Sequence, residues 1–149
     1  MGTSPPKVQT FLWFDTSAQS AASFYQSAIP GCTLLSQNQM SVTLSLSGHE
    51  LILFNGGPSH ALSPAVSLFL TCSDQAEIDD LWAKLRDGGE EIACGWVKDK
   101  FGLCWQVVPR GLDKLVFGSG RAMQVMRGQK KLEIEPIRKA AAEDGVFLE

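Results

Sequence analysis

The segment CGWVKDKFGLCWQVVP, from Cys94 to Pro109, reads as two short strands joined by a tight turn. Lys98, Asp99, Lys100 and Gly102 supply the turn chemistry, with Gly102 free to take a positive φ. Apolar residues flank the turn on both sides: Trp96 and Val97 before it, Leu103 to Val108 after it. Strand alternation puts Cys104, Gln106 and Val108 on one face and Leu103, Trp105 and Val107 on the other. Gln106 is therefore a polar side chain inside an apolar run. A buried amide must be hydrogen-bonded, so Gln106 meets either a structural partner or a wet, ligand-holding cavity.

Working outward toward the start, Val8 to Asp15 alternates and is rich in aromatics, as a strand does, with Gln9, Phe11, Trp13 and Asp15 sharing one face. Asp15, Thr16 and Ser17 are good N-cap residues, and Ala21, Phe24, Tyr25 and Ala28 give the following helix one apolar stripe. Pro30-Gly31 stops it. Strands are expected at Cys32 to Ser36, Met40 to Ser47 and Glu50 to Phe54, the last ended by Asn55-Gly56-Gly57-Pro58. The pattern then restarts. Ala65 to Cys72 is a strand, Asp74 with Glu77 forms a capping box, and Ile78, Leu81, Trp82 and Leu85 form a helical stripe ending at Gly88-Gly89. Glu90 to Val97 and Leu103 to Val108 complete the repeat, with one further short strand left unplaced. The order is β-α-β-β-β followed by β-α-β-β. Beyond Pro109 the chain turns helical at Leu112 to Phe117, Ala122 to Met126 and Leu132 to Ala142. Met123 and Met126 read as packing residues, and the charges of the last helix as a solvated face.

The chain has 149 residues, enough for one domain with a real core. The expected division is a disordered start at 1–7 and a single domain at 8–149. That domain holds module one at about 8–58, module two at about 64–109 and a helical tail at 110–149. Met1-Gly2 ahead of Thr3-Ser4-Pro5-Pro6 reads as part of the disordered start and not as a lipidation signal. A net charge of −3 gives no footprint for nucleic acid or an anionic membrane, and no apolar run approaches a membrane span. The cysteines at 32, 72, 94 and 104 show no metal-type spacing and fit a reducing cytoplasm.

Several enzyme signatures are missing. No Gly-rich turn follows the first strand, so a P-loop, a dinucleotide fingerprint and a recognisable seat for S-adenosylmethionine are all lacking. No GxSxG is present. His49 and His60, the only histidines, lie in a turn and a Ser/Pro-rich loop, a poor basis for a metal site. The candidate ligand-binding residues are Gln9, Phe11, Trp13 and Asp15 from one strand and Cys104 and Gln106 from another. An apolar, aromatic face with a few polar groups has the composition of a small-molecule site. Core packing is the simpler explanation of Trp13 and Trp105, as for most aromatics in strands.

FLWFD near the start, FYQSAIPG, FNGGP, the Asp79-to-Trp82 helix with Gly88-Gly89, and CGWVKDKFGLCWQVVP together resemble the PhnB-like branch of the vicinal oxygen chelate superfamily. This branch is often labelled a 3-demethylubiquinone-9 3-methyltransferase type, and the superfamily includes glyoxalase I, bleomycin-resistance proteins and extradiol dioxygenases. The resemblance runs from Gln9 into KLEIEPIRKA of the tail. It implies an α+β fold of paired βαβββ modules, glyoxalase/bleomycin-resistance-like, with extra C-terminal helices, usually as a homodimer. In metal-using relatives, ligands come from the first and fourth strands of one module and from the first and last strands of the other. Gln9 stands at about the first position and Gln106 at the last, where a glutamate is usual. Leu51 to Phe54 offers no carboxylate and Ala65 to Leu70 no histidine. A neutral amide is a poorer ligand for a hard divalent ion than a carboxylate, so no catalytic metal and no cofactor are expected.

Three functions remain open: a binding protein for a small, partly aromatic ligand; a metal-independent or weakly metal-dependent enzyme acting on such a ligand, with Asp15 or Cys104 as its acid-base or nucleophilic group; and a dimeric regulatory or interaction scaffold. Binding is preferred, because no candidate group has an evident activating partner.

Overall fold

Strand β1 (Thr10–Phe14) opens the first sheet of the fold, seen in a computed structural model that describes residues 4–149. Met1-Gly2 and the beginning of the expected 1–7 segment lie outside the described residues. After β1 come α1 (Ala18–Ala28), β2 (Cys32–Gln37), β3 (Ser41–Leu46) and β4 (His49–Asn55). The sheet order is β1-β4-β3-β2, with β1 parallel to β4 and the other pairs antiparallel. Alternation buries Leu12, Phe14, Val42, Leu44, Leu51 and Leu53. Helix α1 adds Ala18, Ala21, Ala22, Tyr25 and Ala28 to that core. Phe24, expected on the buried stripe, is only half-buried.

The start of α1 departs from the expected cap. Ser17 occupies the N-cap position without a side-chain capping bond. Asn55, at the end of β4, supplies the acceptor instead: its Oδ1 takes the Ala18 N–H at 2.8 Å. Gln19 Oε1 accepts from Asn55 Nδ2 at 2.8 Å and so fixes the amide. The parallel pairing of Phe14 with Asn55 brings this residue from 37 positions away to the helix start.

The chain divides at residue 62, with a second unit at Ser63–Glu149. This unit carries β5 (Ser67–Cys72), α2 (Gln75–Arg86), β6 (Glu90–Glu91), β7 (Trp96–Lys98) and β8 (Cys104–Pro109), in sheet order β5-β8-β7-β6. It is thus also β-α-β-β-β. The single strand expected over Glu90 to Val97 is two strands, which places the missing one. The break lies at Cys94 and Gly95, both at positive φ (54° and 84°). Their N–H groups donate to the carbonyls of Gln129 and Lys130, each at 2.8 Å, and not to a neighbouring strand.

Helix α2 buries Ile78, Leu81, Trp82 and Leu85 as expected, each worth about 2 kcal/mol of transfer free energy. Asp74 caps it by accepting from the Glu77 N–H at 2.9 Å. Glu77 returns to the Ser73 N–H at 2.7 Å, one residue earlier than in a standard capping box.

The turn at 98–102 is built on Asp99, which is only 2% exposed. Its Oδ1 accepts from the Phe101 and Leu103 N–H groups at 2.8 and 3.1 Å, and its Oδ2 from Trp105 Nε1 at 2.8 Å. Gly102 completes the turn at φ 94°.

Three helices follow: α3 (Leu112–Gly118), α4 (Gly120–Arg127) and α5 (Ile134–Glu143). Val108, Leu115, Val116, Ala122, Leu132 and Ile137 form one buried cluster among them. Gln75, the first residue of α2, holds the segment before α5 from both sides. Its Nε2 donates to the Leu132 carbonyl at 2.9 Å and its Oε1 accepts from the Ile134 N–H at 2.8 Å. Lys131 adds ion pairs to Asp79 (2.6 Å) and Glu133 (3.2 Å).

Candidate functional site

In the first unit, Phe11 and Trp13 stand on the sheet face opposite the buried Leu12 and Phe14. Phe11 is 56% exposed and tilts against Phe54 at 5.3 Å between ring centroids. Trp13 packs edge-on to Phe54 (5.3 Å) and to His60 (4.9 Å), and its indole N–H donates to the Gly57 carbonyl at 2.9 Å. Gly56 lies against the same ring, and a β-carbon there would fall inside it. The Asn55-to-Pro58 turn is therefore the bed of Trp13. Its Gly56 and Gly57 N–H groups are spent on the carbonyls of Phe14 and Asp15, so they make no anion nest. Asp15 is exposed just past the end of β1.

Gln9 Nε2 donates to Glu50 Oε1 at 2.9 Å. Strand β4 begins at His49, and the register Thr10↔Leu51 carried back one residue sets Glu50 beside Gln9. Leu51 to Phe54 holds no carboxylate, but β4 starts two residues earlier and so includes Glu50. The signal was the parallel pairing itself. His49 also has a partner: its Nε2 lies 2.7 Å from Thr10 Oγ1.

In the second unit, β5 and β8 run parallel with Phe69 beside Gln106, and β7 places Trp96 on the other side of Gln106. Gln106 is half-buried, and its Nε2 donates to Ser67 Oγ at 3.0 Å. It lines a cavity of about 490 Å³ that lies wholly within this unit. Phe69 and Gln106 contribute from the sheet, Val116 and Phe117 from α3, and Met123 and Met126 from α4. The two methionines, read from sequence as packing, thus line a cleft. Phe69 and Phe117 are 60% and 81% exposed. The size and mostly apolar lining suit a small organic molecule.

Cys104 is fully buried and does not line this cleft. Burial pushes its thiol pKa up; Lys98 pulls it down, while Asp99 and Glu90 raise it further. A thiol held protonated is a poor nucleophile.

Neither unit offers a strong set of metal donors. The polar pair of the second unit, Gln106 with Ser67, is neutral and internally bonded. That of the first has one carboxylate, already accepting from Gln9. Among the described residues no three His, Cys, Asp or Glu side chains come together. These residues do not fit a hard divalent ion.

Two βαβββ units of matching strand order, followed by helices, define a protein of the glyoxalase/vicinal oxygen chelate fold. Residues 6–108 match the family model described as 3-demethylubiquinone-9 3-methyltransferase, and the chain belongs to that family, within its PhnB-like branch. The match ends at residue 108 and does not include the helical tail. Solved structures agree with the fold. A PhnB protein from Bacillus cereus is 26% identical with a TM-score of 0.63, covering 69% of this chain and 99% of its own. Protein PA1353 from Pseudomonas aeruginosa is 20% identical with a TM-score of 0.59, covering 70% and 98%. A glyoxalase-related enzyme from Fulvimarina pelagi, 12% identical with a TM-score of 0.51 and covering 72% and 91%, shares the fold. No curated protein matches the chain. Among the described residues no helix is long and apolar enough to cross a membrane.

Proposed function

We propose that this chain is a small-molecule-binding protein that works without a resident catalytic metal. The observation that carries the reading is the cleft of about 490 Å³ in which one amide, Gln106, sits among aromatic and thioether side chains. Apolar walls supply affinity through area removed from water. A single amide, able to donate and accept at once, supplies orientation. The bond to Ser67 uses one amide hydrogen, and the amide oxygen and second hydrogen remain for a ligand. The methyltransferase description of the family is not carried over to this chain. Its strand-to-helix turns, Asp15-Thr16-Ser17 and Ser73-Asp74, lack the glycines that let a nucleotide-type cofactor approach the backbone.

The proposal extends to a homodimer in a reducing compartment. The edge strand β2 supports the dimer, with Leu34 and Leu35 exposed by 43% and 51%. Four free cysteines support the compartment. Calorimetric titration with naphthylmethanol, a neutral aromatic probe of suitable size, tests binding. Saturable 1:1 heat that is lost when Val116→Trp fills the cleft supports the reading, and absence of heat at millimolar probe removes it. Light scattering tests the dimer separately, and a stable monomer at micromolar concentration refutes it.

A further inference from the structure

From the charge distribution around the second unit's cleft, we infer that its ligand is a small aromatic cation, an ammonium or amidinium on an aromatic body. The inference rests on the binding reading above. Among the described residues, Asp113, in the first turn of α3, is the only ionisable side chain lining the cleft. Its carboxylate makes no ion pair or side-chain hydrogen bond among the described residues. The nearest cations in sequence, Lys114, Arg110 and Arg121, are not part of the lining.

The remaining surfaces suit a cation as well. Phe69 and Phe117 present exposed rings, whose faces attract positive charge. Met123 and Met126 offer polarisable sulfur and adapt to an irregular aromatic body. Gln106 accepts an N–H through its amide oxygen. An anionic ligand would meet a carboxylate and no counter-charge, so carboxylates, phosphates and anionic thiol conjugates are disfavoured.

The test uses three probes of one shape and different charge: naphthylmethylammonium, naphthylmethanol and naphthoate, titrated calorimetrically into the full chain at low salt. The cation binds about tenfold tighter than the anion, a difference of about 1.4 kcal/mol. In Asp113→Asn the cation and the anion converge to within about twofold, and in Asp113→Lys the order reverses. In about 1 M salt the parent's preference shrinks, because the screening length falls to about 3 Å. Equal affinities for all three probes in the parent, or a preference that survives Asp113→Asn, overturn the inference and leave the binding reading standing. No binding of any probe overturns both.

Discussion

Trp105 and Asp99 are locked together: the indole N–H of Trp105, which has no exposed surface, donates to Asp99 Oδ2 at 2.8 Å. The other carboxylate oxygen holds the backbone of the intervening turn at Phe101 and Leu103. One side chain thus fixes both the turn and the strand that carries Gln106. Asp99→Ala leaves the indole and the Leu103 N–H without their acceptor, at a cost of about 2–4 kcal/mol. For a chain of this size that lowers the thermal midpoint by about 5–12 °C. Asp99→Asn keeps one acceptor oxygen and falls between the two. Thermal unfolding by circular dichroism measures all three; an Asp99→Ala midpoint within 2 °C of the parent, taken as about the smallest meaningful shift, refutes the assignment.

Gly56 is required by the Trp13 ring and not by its own backbone, whose φ is not positive. Gly56→Ala therefore displaces the indole and breaks its bond to the Gly57 carbonyl. The expected loss is about 1–3 kcal/mol, together with a shift of the Trp13 indole N–H resonance toward its solvent-exposed position. An unmoved resonance would show that the ring and Gly56 do not touch.

Gln106→Leu separates an orienting amide from a structural one. Leucine fills similar space, and Ser67 Oγ, left without its donor, lies where the part-buried site admits water. Affinity for the neutral naphthyl probe should fall by about tenfold, since one lost hydrogen bond is worth about 1–1.5 kcal/mol. The thermal midpoint should change by less than about 4 °C. A large drop in midpoint would make Gln106 a core amide and nothing more.

Cys72 gives the chain an alkaline liability. Desolvation, then Glu77 and Asp74, push its thiol from 9.0 up to about 12, while a bond to the Val108 backbone pulls it slightly down. Because the folded value is raised, the unfolded chain loses the proton first as pH rises. The stabilisation is complete below pH 9.0 and is lost progressively toward pH 12. Denaturant midpoints should decline across that window, and Cys72→Ala should flatten the decline relative to the parent. At mildly alkaline pH a disulfide reagent should label half-buried Cys94 before the three buried cysteines.

The alternating runs made both sheets and both sheet-backing helices legible from sequence, because their periodicity is local. The division of Glu90 to Val97 was not, since Cys94 and Gly95 leave strand geometry to meet Gln129 and Lys130, more than thirty residues on. The cap of α1 escaped for a similar reason: Asn55 reaches Ala18 only through parallel strand pairing. Gln106 could be singled out as a polar residue in an apolar run. Its company of Phe117, Met123 and Met126 could not, because which faces of short helices meet a sheet is a tertiary decision.

The junction at Cys94 and Gly95 also bears on the order in which the chain can be completed during synthesis. All strand pairs of the first sheet lie between residues 10 and 55, so that unit has its partners early. The second sheet has its strands by Pro109, but the Cys94 and Gly95 N–H groups must wait for Gln129 and Lys130, and Gln75 for Leu132 and Ile134. While a ribosome holds residues 110–134 in its tunnel, the loop before β7 lacks its ties and Val108 its apolar cover. Nascent chains arrested at that length should be cut by protease between β6 and β7 while the first unit stays intact, and release of the helical segment should abolish the cut.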